Sequence, residues 1–144
     1  MNPDFIITFS NSSVALPLAE EIFDAVARWV TADEHKRYQI RSALSELFSN
    51  AFLHGEKDSM DNRIEFRACF SENRLFAAII NEGKGITDID LSNIQFPHPQ
   101  AESGRGLKIV QNLCEKVEFK MLGGNKFGVF IELDISKENK VKNI

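Results

Sequence analysis

Over "DFIITFS" (residues 4–10) apolar and polar positions alternate, which predicts a short strand. The period then lengthens. In "NSSVALPLAEEIFDAVARWV", Leu18, Ile22, Val26 and Trp29 or Val30 recur at helical spacing, with Pro17 suited to the first turn. A second helix is predicted from about Asp33 to His54. Its buried side would be Ile40, Ala43, Leu44, Leu47 and Ala51, with Gly55 as a stop. "NRIEFRACF" alternates again, "SEN" makes a turn, and "RLFAAII" is apolar on both faces, as a central strand would be. A loop of about twenty-six residues follows, "NEGKGITDIDLSNIQFPHPQAESGRG", and loops this long usually carry function. "LKIVQNLCEK" predicts a helix starting directly after Gly106. "VEFKML", "GGN" and "KFGVFIELDI" predict a hairpin.

Helices gathered on one face of a mixed, mostly antiparallel sheet give an α+β two-layer sandwich. The expected domain is residues 1–135, with a polar tail over 136–144.

The 144 residues are 43% hydrophobic, with twelve Phe, enough for a packed core. The net charge of -4 is dispersed without a basic block, which argues against nucleic acid as a partner. The longest strongly apolar run, Leu75 to Ile80, is too short to span a membrane, and no secretory signal is visible. Cys69 and Cys114 lie far apart without ligand spacing and read as reduced core residues of a cytoplasmic protein.

Three stretches carry candidate chemistry. In "SELFSNAFLHGE" (45–56), Glu46, Asn50 and His54 are spaced four apart and share one stripe of a helix. An Asn carbonyl suits Mg²⁺, and a Glu one turn earlier suits proton acceptance, but such polar borders are common on amphipathic helices, and taken alone the stripe is more often that. In "NEGKGI" (81–86), Gly83 and Gly85 permit close approach of a flat ligand or simply form a turn. In "SGRGLKIV" (103–110), Gly104 and Gly106 precede a helix whose amides suit phosphate, with Arg105 adding charge; an ordinary glycine-rich helix start is the other reading. Neither a P-loop nor a dinucleotide fingerprint is present.

Taken in order, these stretches resemble the GHKL ATPase/kinase superfamily. "ELFSNAFLHG" resembles its N box, "NEGKGI" its first glycine box and "GRGLKIV" its second, and the likeness runs from about Phe5 to Leu133. The small size is most similar to the stand-alone anti-sigma-factor serine/threonine kinases of bacteria. That resemblance implies a Bergerat fold, ATP and Mg²⁺ as cofactors, and two partners: a sigma factor and a STAS-type anti-anti-sigma protein phosphorylated on Ser. It implies Glu46 as catalytic base and Asn50 as Mg²⁺ ligand. Asn81, Gly83 and Gly85 would border adenine, residues 87–103 would form the lid, and Ser103, Gly104, Arg105, Gly106 and Leu107 would hold phosphates. For His54, packing and contact with ATP both stay open. A homodimer through the sheet is implied too, with Phe5, Ile7 and Phe9 either its surface or core residues.

Two positions depart from the family pattern. Asn81 replaces the adenine-reading Asp. A neutral hydrogen bond contributes about 0.5–1.5 kcal/mol against about 1.5–3 for a charged one, so the expected loss is about 1 kcal/mol. Asn also has a route to bidentate pairing with the adenine edge. Gly128 and Val129 fall where the family often has Gly-Thr, so a hydroxyl is missing. These changes motivate an alternative from another class: a sequestering module with weak or lost nucleotide binding. A third reading is a domain that phosphorylates His on a separate protein.

Overall fold

The computed structural model describes residues 2–54, 63–82, 102–124 and 126–136. Among them the chain forms β1 (Phe5–Ser10), α1 (Ala15–Val30), α2 (Glu34–His54), β2 (Arg63–Ser71), β3 (Arg74–Glu82), α3 (Glu102–Leu113), β4 (Lys116–Gly123) and β5 (Lys126–Asp134). The strands pair in the order β1-β2-β3-β5-β4, and every pairing is antiparallel. The helices cover one face, so the α+β two-layer sandwich stands as expected.

Local chemistry sets the turns. Glu72 and Asn73 take φ of 52° and 61°, and Ser71 pairs with Arg74. A two-residue loop with both φ positive matches the right-handed twist of the flanking strands. Gly123 and Gly124, at φ 77° and 60°, supply the left-handed backbone at the turn end of β4, where the register with β5 shifts between Met121 and Gly123. Asp33 starts α2, its carboxylate accepting the His35 amide at 3.1 Å.

Five of the phenylalanines meet between the layers. Phe48 of α2 lies edge-on to Phe9 and Phe23, at 5.1 and 5.8 Å between ring centres. Phe23 in turn meets Phe66 at 5.1 Å, and Phe66 meets Phe5 at 5.7 Å. Such pairs add about 0.5–1.5 kcal/mol each beyond their buried area. Phe5, Ile7 and Phe9 therefore face the helices and belong to or pack against the core, and the side of β1 turned away from it carries Ile6, which is half exposed. Of the two readings offered for these residues, their packing matches the core one.

Strand β3 is central, as its apolar run predicts: Ala77, Ala78, Ile79 and Ile80 are all buried. On the face away from the helices, Phe130 stands opposite Ala78, and Gly128 opposite Ile80. A Cβ at Gly128 would come within 2.7 Å of the Phe130 ring and 3.3 Å of Ile80, so the glycine makes room for that ring.

Two expectations about the helices need correction. The buried stripe of α1 is Ala15, Ala19, Phe23, Val26, Ala27 and Val30, whereas Leu18 and Trp29 are each half exposed. The small Ala15, Ala19 and Ala27 let this helix approach its neighbours closely, so the alanine side wins over the leucine side. Trp29 instead lays its ring against Phe5 and Phe70 at the edge of the sandwich. Helix α3 begins at Glu102, ahead of both glycines, and ends at Leu113. Each glycine costs a helix about 1 kcal/mol relative to alanine, which does not prevent a helix with a buried contact such as Val110.

Candidate functional site

Helix α2 is the middle helix, with α1 on one flank and α3 on the other. Its inner stripe, including Ile40, Ala43, Leu44, Leu47, Phe48 and Ala51, is buried in the core. The opposite stripe carries Tyr38, Arg41, Ser42, Ser45 and Glu46, at the three- and four-residue spacing of one helix face. Together with Glu20 and Asp24 of α1 and Ile109 and Leu113 of α3, these residues line an open groove of about 770 Å³. Glu46 is half-buried in this groove, where a hydroxyl or water could reach its carboxylate.

Asn50 follows one turn after Glu46 on the same helix. Its amide nitrogen is shielded from solvent and has no hydrogen-bond partner among the described residues. A buried amide group without a partner is rare and calls for an explanation. The oxygen and nitrogen of an amide are assigned from their partners. An Asn with an unused polar atom at this position therefore suits a group that brings its own oxygens, either phosphate or the water shell of Mg²⁺. The residues present fit a metal-bound triphosphate.

Asn81 closes β3 beside the same turn of α2. It is buried, and its amide nitrogen donates to the Ala51 carbonyl at 2.7 Å. Ala51 immediately follows Asn50, so this bond fastens the end of the central strand to the candidate ligand's helix. An Asp here would have no hydrogen to give that carbonyl. One amide hydrogen of Asn81 is thus already engaged, which leaves the carbonyl oxygen and one hydrogen for any other partner.

Ser103, Gly104, Arg105, Gly106 and Leu107 lie inside α3 rather than ahead of it. The amides of Ser103 and Gly104 fall in its first turn, where backbone N–H groups have no partner within the helix. Gly83, Gly85 and the lid segment over 87–101 lie outside the described residues, as does the side chain of His54. Val129 is half-buried and packs against the core opposite Ile79.

The tie between Asn81 and Ala51 and the outer groove were not anticipated from sequence. The groove had a visible signal, because Tyr38, Arg41, Ser42 and Ser45 continue the stripe of Glu46 toward the N-terminus. The Asn81 bond had none, since it joins residues thirty apart.

An antiparallel sheet under three helices, with a carboxylate and an unpartnered amide one turn apart on the middle helix, defines a two-layer sandwich of the Bergerat type. The chain belongs to the family of the histidine kinase-like ATPase domain, whose model matches residues 9–128. Among curated relatives, the Anti-sigma F factor of Oceanobacillus iheyensis is 26% identical over 108 residues, covering 73% of this chain and 74% of the relative. That of Shouchella clausii is 29% identical over 83 residues, 56% of this chain and 57% of the relative. That of a Thermoanaerobacter species is 25% identical over 121 residues, 82% and 84%.

Solved structures agree on the fold. The RsbU and RsbW domains of Rv1364c from Mycobacterium tuberculosis superpose with a TM-score of 0.65 at 17% identity, covering 94% of this chain and 34% of that one. The catalytic domain of the histidine kinase ThkA gives 0.58 at 16% identity, covering 93% and 99%. Among the described residues, no helix is long and apolar enough to cross a membrane.

Proposed function

We propose that this chain is a cytoplasmic bacterial anti-sigma regulatory factor with ATP-dependent serine/threonine-protein kinase activity. In this reading it holds a sigma factor and phosphorylates a STAS-type anti-anti-sigma partner. The family match and the names of the curated relatives support the regulatory class. The observation that carries the enzymatic half is the pairing of Glu46, open to a groove, with the unpartnered amide of Asn50 one turn away.

Bound Mg²⁺ and ATP would supply the transferable phosphoryl group. Glu46 would take the proton of the acceptor hydroxyl as that hydroxyl's oxygen bonds to the γ-phosphorus and the bond to the bridging oxygen of ADP breaks, releasing ADP. Asn50 would offer its carbonyl to the metal, and the first-turn amides of α3 would hold phosphate oxygens. Asn81 and the glycines at 83 and 85 would border the base.

Replacing Glu46 with Gln keeps the shape and removes the base. The expected outcome is nucleotide affinity within a few-fold of wild type, with phosphoryl transfer reduced about 10²–10⁴-fold. Calorimetric titration of Mg·ATP and a transfer assay on a candidate partner check the two halves separately. Undiminished transfer by Glu46→Gln would remove Glu46 from the role of base. Transferred phosphate that is stable to acid supports serine or threonine as the acceptor, and acid-labile phosphate would favour histidine.

One observation favours the non-catalytic alternative. The residue aligned with the family's adenine-reading carboxylate is neutral and is engaged by the Ala51 carbonyl. A sequestering module predicts partner binding that ignores nucleotide, and titration with and without Mg·ATP separates the two readings.

A further inference from the structure

The groove beside Glu46 has a chemical character of its own. Asp24 is neutralised twice, by Arg28 and by Arg41, the latter at 3.0 Å. Glu20 accepts a hydrogen bond from the Ser45 hydroxyl at 2.7 Å. Among the described residues, neither Glu20 nor Glu46 has an ion-pair partner. The walls that flank these carboxylates are apolar: Tyr38 is 62% exposed and Ile109 is 43% exposed. Exposed tyrosine beside unpaired charge is the composition of a recognition surface more than of a solvated helix face.

We propose that this groove receives the phosphoacceptor segment of a protein partner, and that the segment carries a lysine or arginine next to an apolar side chain. The acceptor role rests on the kinase reading above. Three features select this occupant. The acceptor hydroxyl must come within hydrogen-bond reach of the Glu46 carboxylate, and Glu46 belongs to the groove's lining. Glu20 of α1, hydrogen-bonded to Ser45 beside Glu46, offers a negative charge without an ion-pair partner among the described residues for a basic residue of the segment. Tyr38 and Ile109 offer apolar contact to the neighbouring side chain. Asn50 follows Glu46 by one turn of α2, so this docking surface would lie beside the proposed nucleotide site. The acidic lining would also reject segments with a glutamate or a phosphate at the same place, which would favour release of a phosphorylated product.

The test uses two fluorescent synthetic peptides, each with a central serine, one flanked by lysine and leucine and the other with glutamate in place of the lysine. Anisotropy measures their binding to wild type and to Glu20→Lys, Tyr38→Ala and Ile109→Asp. All three positions are exposed, and circular dichroism verifies that the variants fold. The expected result is a preference of about tenfold for the lysine peptide in wild type, reversed by Glu20→Lys and weakened with rising salt. Tyr38→Ala and Ile109→Asp should weaken the lysine peptide by a similar factor. Equal affinity for both peptides, no binding of either, or indifference to all three substitutions would overturn the proposal. So would a dimer, seen by sedimentation, that Ile109→Asp converts to monomer, because a second copy would then fill the groove. Mg·ATP titration of each variant separates this inference from the kinase reading: nucleotide affinity should be unchanged by the three substitutions. Peptide selectivity in a wild-type protein that binds no nucleotide would overturn the acceptor role.

Discussion

Asn81 shows how a single side-chain amide can fasten a strand end to a helix. Its amide donates to the Ala51 carbonyl from a buried position. Asn81→Asp restores the carboxylate typical of the family but sets two oxygens against each other where water cannot intervene. We expect the substitution to lower stability by about 1–3 kcal/mol, read as an earlier midpoint in urea unfolding. An unchanged midpoint would mean that the Ala51 carbonyl finds another donor. Cys114 gives a second, pH-dependent case. Burial, with the charge of Glu115 adding, pushes its thiol from an ordinary 9.0 up to about 12. The unfolded chain ionises first, so the stability tied to this protonated thiol is complete below about pH 9 and lost as pH rises toward 12. Wild type should therefore lose stability over that window faster than Cys114→Ala, and alkylation of Cys114 at pH 8 should be slow.

Strands and helices differ in how plainly this sequence declares them. The alternation of Ile64, Phe66 and Ala68 has one face to bury, and the structure buries it. The unbroken run of β3 needs cover on both sides and receives it. The face of α1 was less legible, because Leu18 and the alanine stripe both recur at helical spacing and only the neighbours decide between them. Apolar content favoured Leu18; the closeness of α2 and the sheet favoured Ala15, Ala19 and Ala27. The start of α3 misled for a related reason. Glycines argue locally for a loop, and a tertiary contact outweighs a cost of about 1 kcal/mol each. Of the site, the stripe through Glu46 and Asn50 was readable from spacing alone, whereas the bond that anchors Asn81 depends on a pairing across thirty residues that no local pattern encodes. Gly128 is the strand counterpart of these lessons. Its hydrogen lies where the Phe130 ring crosses the sheet, so Gly128→Ala must push that ring aside. We expect a loss of about 1–3 kcal/mol in thermal or urea unfolding, and Phe130→Leu in the same background should recover part of it.

At the scale of the molecule, the proposed site would join parts that are distant in sequence: the C-terminal half of α2, the end of β3 and the first turn of α3. A ligand held by all three binds the folded chain and not the unfolded one, so it must stabilise the whole domain. At free Mg·ATP about 100-fold above its dissociation constant, the gain is about 2.7 kcal/mol. A domain of this size gains about 3 °C in melting temperature per kcal/mol, so the melting point should rise by about 8 °C in scanning calorimetry. The rise should need Mg²⁺ and should vanish in Asn50→Ala, whose own melting temperature without nucleotide should stay near that of wild type, since the amide it deletes has no partner among the described residues. Glu46→Gln should keep the full rise, because the base acts on the acceptor and not on the nucleotide. Equal rises in wild type and Asn50→Ala would move the metal ligand elsewhere in the chain. No rise in wild type at millimolar Mg·ATP would turn the reading from kinase to sequestering module, in which the same sandwich serves as a docking surface alone.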